Sequence, residues 1–195
     1  MQYGSTHSMV LGVDLGNRWH QCCKRPASGK QELVRLRADE PTQMQQFFRS
    51  LPADTLVVLE AGTMSSHVAS LAEAVGLQVV VGNPRKLRAI YQNPNKTDSN
   101  DARMLAQIGA FDPQLLCPIH HRSARAQMDH ALIKARQQVL DCRKDLINHV
   151  RGLMKTFGVF APKCDADSFG KVAEEHIPLG MEPALAPLLQ TIRDL

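Results

Sequence analysis

The fold is decided by Val10 to Leu15, an apolar run of sequence VLGVDL that holds a single carboxylate near its end. A short run of apolar and branched residues, closed here by Gly16, predicts a buried strand. A charge is costly to bury without a partner, so Asp14 is predicted to be a ligand or an active-site group. The alternative is that Asp14 only opens the turn that follows the strand.

A second apolar run has the same design. Thr55 to Leu59, of sequence TLVVL, predicts another buried strand, and Glu60 follows at its end. Ligand sites in sheets with parallel strands lie at the carboxyl ends of those strands. If the two strands are neighbours, Asp14 and Glu60 are expected at one edge of a shared sheet.

The remaining elements follow from apolar periodicity and turn residues. Short links between the first three strands predict an antiparallel meander, and the later pattern alternates between helix and strand. We predict further strands at Trp19–Lys24, Glu32–Arg37 and Leu77–Val81, and helices at Pro41–Ser50, Thr63–Val75, from Pro84, from Thr97 to about Ala110, and at Pro183–Leu195.

A second pair of carboxylates opens the helix that follows Thr97. Lys96 to Arg103 has the sequence KTDSNDAR, which places Asp98 and Asp101 three residues apart. Residues at this spacing share one face of a helix, with Cβ atoms about 5–6 Å apart. Two carboxylates this close repel one another, and a divalent cation can be shared between them.

Four carboxylates at one place would be unstable alone, because like charges raise each other's pKa values. Two Mg²⁺ ions about 3.5–4 Å apart would relieve this repulsion, and Mn²⁺ could substitute for them. One ion of such a pair activates an attacking oxygen while the other stabilises a leaving oxygen. The acids Asp14, Glu60, Asp98 and Asp101 therefore predict cleavage or transesterification of a nucleic-acid backbone.

Basic residues suggest where that nucleic acid would bind. The formal net charge is +4, yet residues 118–157 alone carry 8 basic and 3 acidic side chains. An excess concentrated in one segment favours a polyanionic partner over a merely solvated face. The predicted phosphate-binding residues are Arg85, Lys86, Arg88, Lys96, Arg103, Arg122, Arg125, Lys134, Arg136, Arg143, Lys144, Arg151 and Lys155.

The longest periodic segment runs from about Ser123 to Phe157. Apolar residues recur there in alternating steps of four and three, which predicts a coiled-coil seam that pairs with another helix. The alternative, a solubilising polar face on a dimer helix, leaves the excess of basic residues unexplained. The seam consists of Met128, Leu132, Ala135, Val139, Cys142 and Leu146, and it continues through Val150, Leu153 and Phe157 after a slip of one step.

Composition excludes several classes of protein. An apolar fraction of 44% and a charged fraction of 22% are typical of a soluble globular protein. No apolar run approaches the roughly 18 residues of a membrane span, and no signal peptide is apparent, so we expect a cytoplasmic protein without a membrane partner. The five cysteines predict reduced thiols. Cys117 with His120 and His121 resembles a zinc cluster only loosely, and a loop is the stronger interpretation.

Taken together, four motifs resemble the DEDD transposases of insertion sequences, over roughly residues 9–157. They are Gly12–Gly16 (GVDLG), Glu60–Gly62 (EAG), Val81–Arg85 (VGNPR) and Lys96–Arg103 (KTDSNDAR). The resemblance implies an α/β fold, a ribonuclease-H-like mixed five-stranded sheet flanked by helices, similar to the resolvase RuvC, followed by a long coiled-coil helix. It also implies that Asp14, Glu60, Asp98 and Asp101 bind metal.

The resemblance carries further expectations about partners and activity. It implies a transposase or recombinase that acts on DNA, is guided by a structured RNA, and forms a dimer or higher oligomer through its coiled coil. Members of this family carry a second domain with a nucleophilic serine, and no serine of this sequence is predicted to have that role. We expect a disordered leader over residues 1–8, the RuvC-like domain over 9–117, the basic helix over 118–157, and a Pro-interrupted segment over 158–195 that begins a further domain of a longer protein.

Two other interpretations stay open. The chain can be a catalytically incomplete module that binds nucleic acid and dimerises, with inactive carboxylates. A sugar-kinase or actin-like ATPase also begins with such a strand, but it needs a second similar domain and glycine-rich nucleotide motifs, which the sequence does not display.

Overall fold

The computed structural model describes residues 7–90 and 97–195, with the side chains of residues 88–90 outside that description. The chain divides into two compact units, one ending at His121 and one beginning at Arg122. The first unit combines a sheet with helices, and the second contains helices. Of the expected leader, His7 and Ser8 are described, and the Ser8 amide donates to a carboxylate oxygen of Asp54 at 2.8 Å.

The sheet of the first unit has five strands in the order β3-β2-β1-β4-β5. β1, β2 and β3 form the predicted antiparallel meander, while β4 pairs in parallel with β1 and β5 pairs in parallel with β4. The predicted α/β, ribonuclease-H-like arrangement with a mixed five-stranded sheet is therefore confirmed. The strands are β1 Met9–Leu15, β2 Trp19–Pro26, β3 Glu32–Arg37, β4 Leu56–Glu60 and β5 Gln78–Gly82.

Two amphipathic helices cover one face of this sheet. They are α1 Pro41–Arg49 and α2 Ser65–Glu73, and their apolar sides pack on alternate residues of the central strands. The core here includes Leu11 and Leu59 from the strands and the fully buried Phe48 from α1. The largest cluster of buried apolar residues in the described part of the first unit lies on this face.

The opposite face is covered by α4 Asp98–Phe111, together with α3 Pro84–Ile90 and a short 3-10 turn at Pro113–Leu116. Glycine allows α4 to approach closely. A Cβ atom at Gly12 would overlap the carbonyl oxygen of Ala102 and lie 2.5 Å from the amide nitrogen of Ala106. A Cβ atom at Gly109 would lie 2.6 Å from a methyl carbon of Val58. The helix therefore lies directly on β1 and β4.

The second unit is built on α5 Ala124–Thr156, with α6 Phe169–Glu174 and α7 Glu182–Asp194. The predicted long helix is confirmed, and residues 158–195 fold together with it in one unit. Its core joins the C-terminal half of α5 to the other two helices through Ile147, Val150, Met154, Phe169, Ala173, Leu185, Leu189 and Ile192.

The predicted seam is consequently divided. Val150 is buried inside the unit, whereas Met128, Leu132 and Val139 are 66%, 70% and 41% exposed. Phe157, predicted to extend the seam, is also exposed. The helices within residues 7–90 and 97–195 include none with the length and apolar character needed to cross a membrane.

Candidate active site

Asp14 and Glu60 lie side by side at the carboxyl edge of the sheet. The parallel register pairs Val13 with Leu59, so the next residues along the two strands are neighbours. Adjacent strands are about 4.8 Å apart, and residues in register point to the same face. Both acids follow Gly12 and Val58 by two residues, which places them on the face covered by α4. Both are half-buried.

Asp98 and Asp101 continue the buried stripe of α4 towards the first turn of the helix. They precede Ala102 and Leu105 by four residues each and therefore share their side of the helix. α4 runs antiparallel to β1, since Gly109 approaches Val10 while Ala102 lies over Gly12. The first turn of α4 thus points towards the end of β1 that carries Asp14. Asp101 is half-buried and Asp98 is exposed.

The helix end itself suits acidic residues. Thr97 caps α4, its hydroxyl oxygen accepting from the Asn100 amide at 3.3 Å. Unpaired amides in the first turn carry partial positive charge, which favours Asp98 and Asp101 there. The local sequence therefore explains both where the helix begins and why two carboxylates are tolerated at this end.

The donor set fits Mg²⁺ in type, because that ion prefers carboxylate oxygens. The arrangement of the four acid side chains, however, does not match a Mg²⁺ site. Among the described residues, which include all four acids, no group of three or more His, Cys, Asp or Glu is arranged to hold a metal ion. The backbone brings four acids to one edge of the sheet, and their side chains do not enclose an ion in this conformation. The same result applies to Cys117, His120 and His121.

The predicted basic residues of the first unit have different positions. Arg85 and Lys86 are exposed on α3, and Arg103 is exposed one turn after Asp98. Arg103 donates to the side-chain oxygen of Asn100 at 3.4 Å, which holds it near the first turn of α4. The side chain of Arg88, and all of Lys96 with the preceding loop, lie outside the described residues.

Two predicted nucleic-acid contacts on α5 are engaged within the second unit. Arg143 forms an ion pair with Asp167 at 2.7 Å and donates to the carbonyl oxygen of Ala166 at 2.8 Å. Arg151 lies over the ring of Phe169 at 4.9 Å. Arg125 is exposed and pairs with Asp129 at 3.3 Å. The other predicted positions, Arg122, Lys134, Arg136, Lys144 and Lys155, are exposed.

Sequence reasoning missed a group of polar residues beside the acids. The antiparallel registers pair Asp14 with Gln21 and Gln21 with Arg35, so a polar row crosses the sheet from Glu60 to Arg35. Trp19 lies in the next row and contacts the guanidinium of Arg35. The alternation of polar residues along Glu32–Arg37 was a signal in the sequence. It did not indicate that Arg35 lies on the same face of the sheet as Asp14.

A ribonuclease-H-like sheet that carries acids at its carboxyl edge defines the class of this domain, and comparison with known families narrows that class. Residues 11–158 match the model of the IS110-type DEDD family, described as transposase. This match covers most of the chain, so the chain belongs to the IS110-type DEDD transposase family. The resemblance seen in the sequence is confirmed.

Curated relatives agree with this assignment. The chain is 25% identical over 185 residues to a protein of Pseudomonas aeruginosa named "Probable family 20 transposase", covering 95% of this chain and 53% of that protein. It is 27% identical over 150 residues to the "Transposase for insertion sequence element IS1111A" of Coxiella burnetii, covering 77% of this chain and 40% of that protein. The chain thus spans about half the length of the curated relatives it matches, or less.

Proposed function

We propose that this chain is the part of an insertion-element transposase that binds metal and nucleic acid, and that it takes part in Mg²⁺-dependent cleavage and exchange of DNA strands. One observation carries the proposal. Asp14 and Glu60 lie side by side on the face of the sheet covered by α4, and the first turn of α4, with Asp98 and Asp101, extends towards the same edge.

The four acids are carried by two kinds of secondary-structure element. Asp14 and Glu60 stand on central strands, whereas Asp98 and Asp101 stand in the first turn of a helix. These four residues would hold Mg²⁺, or Mn²⁺ in its place. When bound, such ions supply charge stabilisation to a phosphodiester under attack. Closure of the first turn of α4 onto the strand ends would complete the site.

The partners follow from charge and apolar exposure. Exposed basic residues on α3, α4 and α5 would bind the phosphates of DNA and of a structured guide RNA. The N-terminal half of α5 exposes apolar residues at coiled-coil spacing, which supports dimerisation or higher assembly through that helix.

Metal binding is the direct test, because it depends only on residues of this chain. Titration calorimetry with Mg²⁺ and with Mn²⁺ should show binding to the chain, and Asp14→Asn should weaken it at least about tenfold by removing a charged ligand of nearly unchanged size. Glu73→Gln, on the exposed side of α2, is the matched control and should bind like the original chain. Equal affinity of the two variants would contradict the proposed acid site.

Dimerisation is tested on α5. Leu132→Glu should shift the chain towards monomer in sedimentation velocity, because it places a charge in the predicted seam. Ile133→Glu makes the same chemical change at a residue of similar exposure, 67% against 70%, on another side of the helix. A monomeric original chain, or equal dissociation by both variants, would exclude this seam as the interface.

A second candidate function is the catalytically incomplete module, which binds nucleic acid and dimerises without cleaving. One observation favours it: among the described residues, no group of three or more His, Cys, Asp or Glu is arranged to hold a metal ion. Mg²⁺-dependent cleavage of branched or supercoiled DNA by the purified chain, lost in Asp14→Asn, would exclude it. Metal binding without cleavage would favour it.

A further inference from the structure

The face of the sheet that carries Asp14 continues over β2 and β3 into a cluster of arginines. We call it the arginine patch, and it consists of Trp19 and Arg25 on β2, Arg35 on β3, and Arg103 on α4. Because Gln21 pairs with both Asp14 and Arg35, Trp19, Arg25 and Arg35 share the face on which Asp14 lies. Strand spacing places the Cα atom of Arg35 about 10 Å from that of Asp14.

Two arginine guanidinium groups lie over the ring of Trp19. Arg35 lies 4.4 Å and Arg37 5.5 Å from the centre of the Trp19 ring. A cation–π contact orients a guanidinium without neutralising its charge, and it leaves the N–H donors available to an anion. The two arginines nevertheless differ in their charge balance.

Arg37 is neutralised by its neighbours. Its guanidinium contacts Asp39 at 2.7 Å and Glu40 at 2.9 Å. Arg35 is exposed, and among the described residues no carboxylate pairs with it. Arg37 therefore serves to fix Trp19, while Arg35 presents an uncompensated charge.

The other two arginines converge on the same side of the sheet. Cys23, between Trp19 and Arg25 on this face, packs against Ala102 and Ala106 of α4. Burial raises the pKa of the Cys23 thiol, and the charges of Arg103 and Arg25 act in the opposite direction. Both guanidinium groups are therefore close enough to Cys23 to affect its ionisation. The patch thus carries three arginines that no described carboxylate neutralises.

We propose that the arginine patch binds a single strand of DNA that continues onto the acidic edge. Arg25, Arg35 and Arg103 would contact phosphates, and the Arg35 guanidinium, which lies over the Trp19 ring, would stack on an unpaired base. The proposal deepens the proposed function, and it rests on that function for the direction of the strand towards Asp14. Binding to the patch itself requires no metal.

The chemistry of the patch favours an unpaired strand over a duplex. Guanidinium planes and aromatic rings stack on bases whose faces are exposed, and stacking combined with basic residues is the usual design of surfaces that bind single strands. A duplex hides its base faces and would use the phosphate contacts alone. We expect DNA and not RNA as the ligand, because the polar row that begins at Arg35 ends at Asp14 and Glu60, the acids proposed to act on DNA.

Fluorescence anisotropy with a labelled single-stranded DNA oligonucleotide, in EDTA, tests the proposal. Arg35→Ala should weaken binding about tenfold and reduce the slope of log affinity against log salt by about 0.7, the value for one lost phosphate contact. Arg49→Ala is the matched control, since Arg49 is exposed on α1, which covers the other face of the sheet. It should change the affinity less than twofold.

Arg35→Lys separates stacking from charge. It should keep the salt slope of the original chain and still lose affinity, because an ammonium lacks the planar surface of a guanidinium. Equal effects of Arg35→Ala and Arg49→Ala would overturn the proposal. The proposal would also be overturned if RNA or duplex DNA of the same sequence bound more tightly than single-stranded DNA and Arg35→Ala weakened the binding of all these ligands equally.

The two proposals fail separately. Loss of the Arg35 effect with intact Mg²⁺ binding would reject the patch and leave the acid site standing. An intact Arg35 effect in a chain that binds no Mg²⁺ would reject the acid site alone. Asp14→Asn measured in EDTA should bind the oligonucleotide at least as tightly as the original chain, because it removes a negative charge beside the strand.

Discussion

The two faces of the central sheet differ in what their residues do. On the face covered by α1 and α2, the strands present an apolar layer that contains the buried His20 and has Lys24 and Glu32 at its rim. On the face covered by α4, the same strands present buried apolar residues beneath the helix, glycine where the helix approaches closely, and also the acids and arginines. Both faces therefore contribute to stability, and the face covered by α4 also carries the candidate site.

This division follows from the pleat of the strands. Successive side chains alternate between faces, so Val13 and Asp14 point in opposite directions, as do Leu59 and Glu60. Each strand can therefore bury an apolar residue and present an acid within two positions. Changes made on each face should have separable effects on stability and on metal binding.

The largest stability change is expected on the apolar face. Phe48→Ala removes a fully buried ring between α1 and the sheet and should lower the free energy of unfolding by about 3–5 kcal/mol, measured by urea denaturation. Molecules that remain folded should bind Mg²⁺ as before, since the change lies on the other face. Phe111→Ala is the control, because that ring is 57% exposed, and a loss as large there would contradict the comparison.

A change at Gly12 should affect the site more than the stability. Gly12→Ala forces α4 away from β1, because its Cβ would meet the backbone of Ala102 and Ala106. The free energy of unfolding should fall by about 1–3 kcal/mol, which is less than for Phe48→Ala. The affinity for Mg²⁺, in contrast, should fall more than it does in Phe48→Ala.

Gly62→Ala provides the control for Gly12, since its added Cβ would meet nothing within 4 Å. Unchanged Mg²⁺ affinity in Gly12→Ala, measured by calorimetry on folded protein, would show that the seating of α4 does not position the acids.

His20 should make the apolar face sensitive to pH. It is 2% exposed and its Nδ1 has no partner among the described residues. Burial, followed by the nearby His67, lowers the pKa of His20 below its ordinary 6.5. The small cavity beside it is also lined by Arg37, and no carboxylate of the described residues lines it. Protonation of His20 is therefore unfavourable in the folded state.

The sign of the effect follows from proton linkage. Below pH 6.5 the unfolded chain binds more protons at His20 than the folded chain, so stability should fall as the pH is lowered from 7.5 to 5.5. His20→Gln should reduce this fall in urea-unfolding measurements, whereas His130→Gln, at an exposed position on α5, should not. An identical pH profile for all three proteins would show that His20 contributes nothing to it.

The smallest effect is expected at the rim of the apolar face. Lys24 pairs with Glu32 at 3.3 Å and lies 5.3 Å from the centre of the Phe47 ring. The Glu32 side chain is 64% exposed, so Glu32→Gln should change the free energy of unfolding by less than about 1 kcal/mol. A larger loss would mean that the rim contributes to the stability assigned to the buried layer.

Local sequence was sufficient to predict the strands and helices and the four candidate acids. Strands and helices are encoded by local periodicity, and the ends of β3 and the start of α1 were predicted to the residue. Asp14 and Glu60 were visible because a charge inside or beside an apolar run needs a local explanation. Membership of the transposase family was likewise visible in four short motifs.

Which residues share a face across different strands could not be predicted without the folded structure. Arg35 joins the row of Asp14, with Trp19 in the next row, because β2 lies between β1 and β3, and that order depends on contacts distant in sequence. The same limit applies to α5, whose uniform periodicity hides the point where α6 and α7 begin to cover it. Burial depends on what packs against a residue, and one segment's periodicity carries no information about its neighbours.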